Sequence, residues 1–233
     1  MDTGQVAVAT ITWARSVEEE MLLGRALEAL ARTRLPAAVA DRGTSPAFTD
    51  RLRSMGAFRV AVTTRQGLVP QVQASLDLAA AFATRFILYV EPDKGAFFEQ
   101  GMGEFLREAP DADDVGVVLA SRSERSFQTF PPMQRYAEGV INQLCAEVIG
   151  IRGDYSYGPF VMDRALVPHV SGLDSQLGWG WRHSTFVAAA RRRQRLVHIV
   201  GDYECPLDQR DEDDDQRTHR MRQLSQNILG LIT

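Results

Sequence analysis

Short apolar, β-branched runs recur along this chain with helical segments between them, and that alternation constrains the fold more than any other feature. The runs lie at Val6–Thr12, Ala37–Asp41, Arg59–Thr64, Phe86–Val90 and Val115–Ala120. Between them, Val72, Leu76, Ala79, Ala80 and Ala83 repeat at spacings of three and four, the period of a helix with one apolar side. Val17–Thr33 has the same character, with Ser16 as N-cap and Glu19 as its capping-box partner. The strands are continuously apolar rather than alternating, as expected when helices cover both faces of a sheet. The first half therefore predicts an α/β fold built on a doubly wound, mostly parallel sheet with helices on both faces.

The second half is less regular. Met133–Ile149 reads as an amphipathic helix with Tyr136, Val140, Ile141, Leu144 and Val148 on its apolar side, ending at Gly150. A Gly- and aromatic-rich loop over Gly153–Pro159 leads into a short strand at Phe160–Met162. A second such loop, Gly178-Trp179-Gly180-Trp181, opens a helix to about Arg193. Leu196–Val200 reads as a strand and Arg217–Leu231 as a terminal helix. No internal repeat or linker interrupts the 233 residues, so one domain is expected. The acidic stretch Asp208–Asp215 is the segment expected to be most mobile.

Composition narrows the function. The apolar fraction of 45% and charged fraction of 24% suit an ordinary globular protein. No apolar run approaches the roughly 18 residues of a transmembrane segment, and Met1–Gln5 lacks the basic region of a signal peptide. Cys145 and Cys205 make no disulfide framework, so a cytoplasmic, reducing location is expected. A net charge of −4 argues against a nucleic-acid partner. The basic run Arg191, Arg192, Arg193 and Arg195 could meet a membrane surface peripherally, or an anionic acceptor, or be a solvated face. A homodimer is compatible with the sequence.

Ligands of open α/β sheets bind beyond the carboxyl ends of the strands. Here the first strand ends at Thr12, with Glu18, Glu19 and Glu20 soon after. The second ends at Asp41, followed by Arg42-Gly43-Thr44-Ser45, and the fifth runs into Arg122. The fourth ends in Glu91-Pro92-Asp93-Lys94. Two carboxylates one residue apart suit a hard divalent cation such as Mg²⁺ or Mn²⁺, which would stabilise charge on a departing diphosphate. Lys94 would add a phosphate contact. The competing account is a strand-to-helix turn with Asp93 capping the next helix. Asp41 to Ser45 likewise reads either as a base or ribose contact or as an ordinary turn.

The order of these motifs resembles the GT-A glycosyltransferases, most closely their broad family-2 group. Those enzymes place a Glu after the first strand, an Asp-rich turn after the second, a carboxylate-X-Asp motif after the fourth and an Arg after the fifth. An Asn…Gly…Asp…Ser-Gly-Phe stretch and a Trp-Gly-rich helix start follow. The matching positions here are Glu18 or Glu19, Asp41–Ser45, Glu91-Pro92-Asp93, Arg122, then Asn142, Gly150 and Asp154–Phe160, and Trp179-Gly180-Trp181. The resemblance implies a single GT-A, Rossmann-like domain over 1–233, with 5–125 as the nucleotide-binding half and 126–233 as the acceptor half. It implies a nucleoside-diphosphate-sugar donor held near Thr12, Glu18, Asp41, Lys94, Arg122, Trp179 and Trp181. Glu91 and Asp93 would hold the Mg²⁺ or Mn²⁺, and the Asp154–Pro159 loop would border the sugar and an unknown acceptor hydroxyl.

The chain departs from that pattern in two places. The metal motif begins with Glu, and the helix after Trp181 carries Arg182-His183-Ser184-Thr185 where inverting members usually have a carboxylate base. His183, Asp174 and Asp154 are the candidate bases. Trp179 and Trp181 suit either ring stacking on a ligand or core packing. The basic segment around His219 and Arg220 could fold back over the diphosphate as a lid. Two other functions stay open: a nucleotidyltransferase, disfavoured by the absence of glycine in Thr12–Ser16, and a non-catalytic sugar-nucleotide or partner binder.

Overall fold

The computed structural model describes residues 1–233. In chain order it comprises β1 (Val6–Thr12), α1 (Val17–Arg32), β2 (Ala37–Asp41), α2 (Pro46–Ser54), β3 (Phe58–Val62), α3 (Leu68–Ala80) and β4 (Phe86–Tyr89). Next come α4 (Met102–Glu108), β5 (Val115–Arg122), α5 (Glu124–Phe127), α6 (Pro132–Ile149), β6 (Phe160–Asp163), α7 (Val167–Ser171), α8 (Gly180–Arg191), β7 (Arg195–Gly201) and α9 (Asp214–Ile232). All seven strands form one sheet in the order β3-β2-β1-β4-β6-β5-β7. Only β6 runs antiparallel to its neighbours.

The strands are continuously apolar because both faces are covered. Val6 and Val8 point into one core with Leu27 and Leu30 of α1, Leu52 of α2 and Phe105 of α4. Ala9 of the same strand points into the other, with Val72 and Leu76 of α3 and Phe186 of α8. Successive strand residues alternate between the two cores, as the pleat requires. At roughly 1.5–3 kcal/mol per large side chain removed from water, these layers carry most of the favourable energy of the fold. This is the doubly wound sheet expected from the sequence.

Three differences matter for the site. The short helices α2, α4, α5 and α7 carry no long apolar period and were not expected. α6 does form, but the face it buries holds Gln134, Ala137, Glu138, Ile141 and Cys145. Tyr136, at 68% exposure, Leu144 and Val148 lie outside, so of the expected apolar side only Ile141 is fully buried. The physical reason is a buried cation, Arg122, on β5, toward which α6 turns polar groups. The acidic stretch, expected to be mobile, forms caps: Glu212 accepts the Met133 N–H at 2.8 Å, and Asp213 and Gln216 make a capping box for α9.

The strand order reverses between β1 and β4, which puts a crevice beyond their carboxyl ends. Because β6 is antiparallel to β4, with Tyr89 opposite Phe160, it is the start of β6 that reaches this edge. The loop before β6 therefore lies against Glu91. No helix is long and apolar enough to cross a membrane.

Candidate functional site

Glu91 follows β4 at the crevice and is buried. Its Oε1 accepts from the Arg182 Nη1 at 3.3 Å, while Oε2 has no partner. Arg182 sits in the first turn of α8, itself buried, with its guanidinium 5.1 Å from the Trp179 ring centroid. Gly158 has φ +128°, and a Cβ there would stand 2.7 Å from Glu91 Oε2, so the loop before β6 approaches Glu91 through a residue that must be glycine. Asp93 is 57% exposed, with the Lys94 Nζ at 3.4 Å. Lys94 in turn reaches over Tyr157, 5.6 Å from its ring centroid.

These residues wall a cavity of about 410 Å³. Its opposite wall comes from α9, which contributes His219, Arg220 and Gln223. The basic segment that sequence placed as a lid is thus at the cavity. Burial and the charges of Arg220 and Arg222 hold the His219 imidazole below its ordinary pKa. Tyr157, in the loop expected to border the sugar and acceptor, stacks on Tyr203 at 4.8 Å and faces the cavity, whereas Gln134 and Glu138 from α6 are cavity-facing residues the sequence reading missed. The polar inner face of α6 was the available signal.

A second groove of about 360 Å³ runs from Trp13 and Arg42 past Leu68 and Gln71 to Glu91, Pro92 and Asp93, with Trp179 at the junction. Thr12 and Asp41 both stand at this edge. Asp41 is fully buried, and its carboxylate accepts from the Thr12 hydroxyl at 2.8 Å, the Gly43 N–H at 2.9 Å and the Thr44 N–H at 3.0 Å. It shapes the turn after β2 and has little capacity left for a ligand. Glu18 is exposed in the first turn of α1 and faces neither opening. Glu20 instead ties the two loops together through Ser45.

Beneath the cavity floor lies a charged layer. Arg122 donates to Asp154 Oδ2 at 2.6 Å and Oδ1 at 3.0 Å, and to Glu138 Oε2 at 2.6 Å. Asp154 also accepts from the Arg122 and Ser156 N–H groups and from Asn142. Burial alone would push the Asp154 carboxyl up; Arg122 and the backbone donors outweigh it and hold the group below the usual range. With every lone pair engaged, Asp154 anchors the loop before β6 and offers no base. Arg122, its side chain fully buried, touches no opening.

The two other candidate bases stand apart from the cavity. His183 is fully buried in the core, and burial together with the Arg182 charge pushes its pKa down to about 3. Asp174 is an exposed cap accepting the Gln176 N–H at 2.7 Å. The Gly-Trp-Gly-Trp loop splits: Trp179 lines both openings, whereas Trp181 is buried edge-on to Tyr89 at 4.7 Å. Gly180 serves packing, since a Cβ there would collide with the Gln226 carbonyl of α9. The arginines at the far end of α8 donate to the Thr233 and Ala165 carbonyls, about 16 Å along the helix from the cavity. Trp179→Ala is therefore expected to change stability by less than about 1 kcal/mol while weakening any planar or sugar ligand by about 1–2 kcal/mol. Urea midpoints and ligand titrations on the one variant would separate the two effects.

Glu91 and Asp93 fit a hard cation. Glu91 Oε2 is a buried anionic oxygen without a donor, Asp93 is open, and both face the same junction. No set of three His, Cys, Asp or Glu side chains converges closely enough to hold a cation without other ligands. Two carboxylates would leave coordination positions for phosphate oxygens.

No protein-family model matches the chain, and no curated protein matches it in sequence. Solved structures do match. Glucosyl-3-phosphoglycerate synthase from Mycobacterium tuberculosis, in complex with Mn²⁺ and UDP-glucose, superposes with a TM-score of 0.65 at 14% identity, covering 97% of this chain and 78% of that one. The same enzyme with Mn²⁺, UDP and glucosyl-3-phosphoglycerate gives 0.59 at 14% identity over 97% and 79%. A structure described only as that of a mycobacterial protein gives 0.65 at 15% identity over 97% and 74%. The chain has the α/β fold of these GT-A-type glycosyltransferases.

Proposed function

We propose that this protein is a glycosyltransferase that takes a sugar from a nucleoside-diphosphate donor, with Mg²⁺ or Mn²⁺, and passes it to an acceptor hydroxyl. The observation that carries the reading is Glu91: a buried carboxylate with one orphaned oxygen, next to Asp93, at the junction of a nucleotide-sized groove and a polar cavity. The fold shared with enzymes crystallised with Mn²⁺ and UDP-glucose supports it. A cation bound at Glu91 and Asp93 would neutralise charge on the leaving diphosphate.

The chain's own residues do the rest. Lys94 and Arg182 flank the two carboxylates and offer donors to phosphate oxygens. His219 and Arg220 close the cavity from α9 and screen the leaving group from water. Trp179 stands where donor and acceptor spaces join and orients the sugar ring by stacking. Positioning and stabilisation of the leaving group are the main catalytic contributions of such a site. None of Asp154, Asp174 and His183 faces the cavity, so we assign none of them as base.

Calorimetry with UDP-, GDP- and dTDP-sugars, with and without Mn²⁺, tests the reading. Because protein ligands alone are too few, Mn²⁺ and nucleotide should each strengthen the other's binding by the same factor. Asp93→Ala should weaken Mn²⁺-dependent nucleotide binding about tenfold. Nucleotide binding that ignores both Mn²⁺ and Asp93→Ala would rule the metal site out. Slow donor hydrolysis in the same samples distinguishes an enzyme from a non-catalytic binder.

A further inference from the structure

Asp41, at the edge of the sheet where the resemblance places the base, is fully buried and already accepts from Thr12, Gly43 and Thr44. The neighbouring polar side chain is Gln71, in the second turn of α3 and only 3% exposed. Its amide nitrogen donates to the Thr12 carbonyl at 2.7 Å and the Ala40 carbonyl at 2.8 Å. Both partners are acceptors, so only the nitrogen can face them, and both of its N–H groups are consumed. The amide oxygen is thereby fixed on the opposite side, at the groove, and no donor of the protein reaches it. An amide oxygen held this rigidly at the mouth of a groove, with no donor from the protein, is an acceptor open to a ligand.

A stacking surface lies in the same groove. Trp13, directly after β1, is 47% exposed, and the Arg42 guanidinium rests 3.8 Å from its ring centroid. The groove continues from this pair to Pro92 and Asp93. A planar ring at Trp13 and Arg42 is thus joined to a diphosphate at the metal carboxylates without leaving the surface.

We propose that Gln71 reads the donor's base by accepting a ring N–H, with Trp13 and Arg42 as the stacking platform. The inference rests on the donor reading above. It selects a chemical class: uracil, thymine and guanine carry a ring N–H on their pairing edge. Cytosine and adenine carry a bare ring nitrogen there, which would set two lone pairs against each other. Specificity of this kind is strong because a mismatched base would cover the acceptor, taking it from water and leaving it unpaired.

The test uses the unaltered protein with Mn²⁺ and calorimetric titration of UDP, GDP, CDP and ADP. The tighter of UDP and GDP is repeated with its ring N–H methylated, and with its 2′-deoxy form. UDP or GDP should bind roughly 10- to 100-fold tighter than CDP and ADP, and methylation should cost a similar factor. Trp13→Ala, at an exposed position, should weaken all four about tenfold without changing their order. Equal binding of UDP and CDP, or no effect of methylation, would overturn the assignment while leaving the donor reading intact. A loss confined to the 2′-deoxy form would move the Gln71 oxygen to the ribose and also overturn it. Binding of none of the four would overturn the donor reading itself, and this inference with it. Gln71→Leu strips two buried carbonyls of their donor and risks the fold, so the ligand series carries the test.

Discussion

Arg122→Met should destabilise the protein by about 3–5 kcal/mol, read as a lowered urea midpoint at neutral pH. The guanidinium holds two buried carboxylates, Asp154 and Glu138, at 2.6 Å each. The methionine fills similar volume but leaves both acids buried without a counter-charge, and that penalty exceeds the value of the pair itself. The pH dependence gives the mechanism away. In the wild type the Asp154 carboxyl titrates below its unfolded value. Its stabilisation is therefore fully present above about pH 4 and is lost as pH falls through the folded value. In the variant the buried Asp154 carboxylate, without its counter-charge, takes up a proton on folding, so acid relieves it. The stability gap between the two proteins should narrow as pH is lowered from about 7 to about 4. A gap constant over that range would mean that the loss is one of packing, not charge.

That network also shows where the sequence was informative and where it was not. Strand positions were readable because five apolar runs and their periods are local properties: β1 and β2 have the bounds expected, β4 and β5 start where expected but end one residue early and two residues late, and β3, at the edge of the sheet, is shifted at both ends. The orientation of α6 was not readable. Its apolar residues form a stripe in sequence, but the cost of an unpaired Arg122 turns Glu138, Gln134 and Asn142 inward, and that cation lies on a strand 16 residues before Glu138. Strand ends led to Glu91 and Asp93, which the structure places side by side at the crevice. They could not show that Asp41 is spent on its own turn, because that depends on where the Gly43 and Thr44 N–H groups point. Nor could they expose Gln71, which in sequence is only one of four polar residues on α3, with Gln73, Ser75 and Asp77. Trp179 and Trp181 differ by two positions and a helix start, enough to send one ring to the cavity and the other to the core. The geometry of α8, with Gly180 pressed against α9, decides between them.

The Arg182–Glu91 pair yields the second large effect, and it has two signs. On the proposed reading, Arg182→Gln should lower kcat/KM by about 10²- to 10³-fold, the loss typical of removing one donor aimed at developing charge. The same change should raise the affinity for Mn²⁺ in the absence of nucleotide. In the wild type Arg182 donates to Glu91 Oε1 at 3.3 Å and competes with any cation for that carboxylate. Without it, Glu91 is a buried anion that has lost its ion-pair partner, and a metal can take that place. Mn²⁺ should then stabilise the variant more than the wild type, by the mass action of a ligand that binds only the folded state. Thermal unfolding with and without Mn²⁺ reads this independently of turnover. If Arg182 served only to pack beneath Trp179, the variant would lose stability and gain no metal affinity. Tighter metal with slower transfer would place the guanidinium between the cation and the leaving diphosphate, exchanging Glu91 for phosphate as the donor arrives.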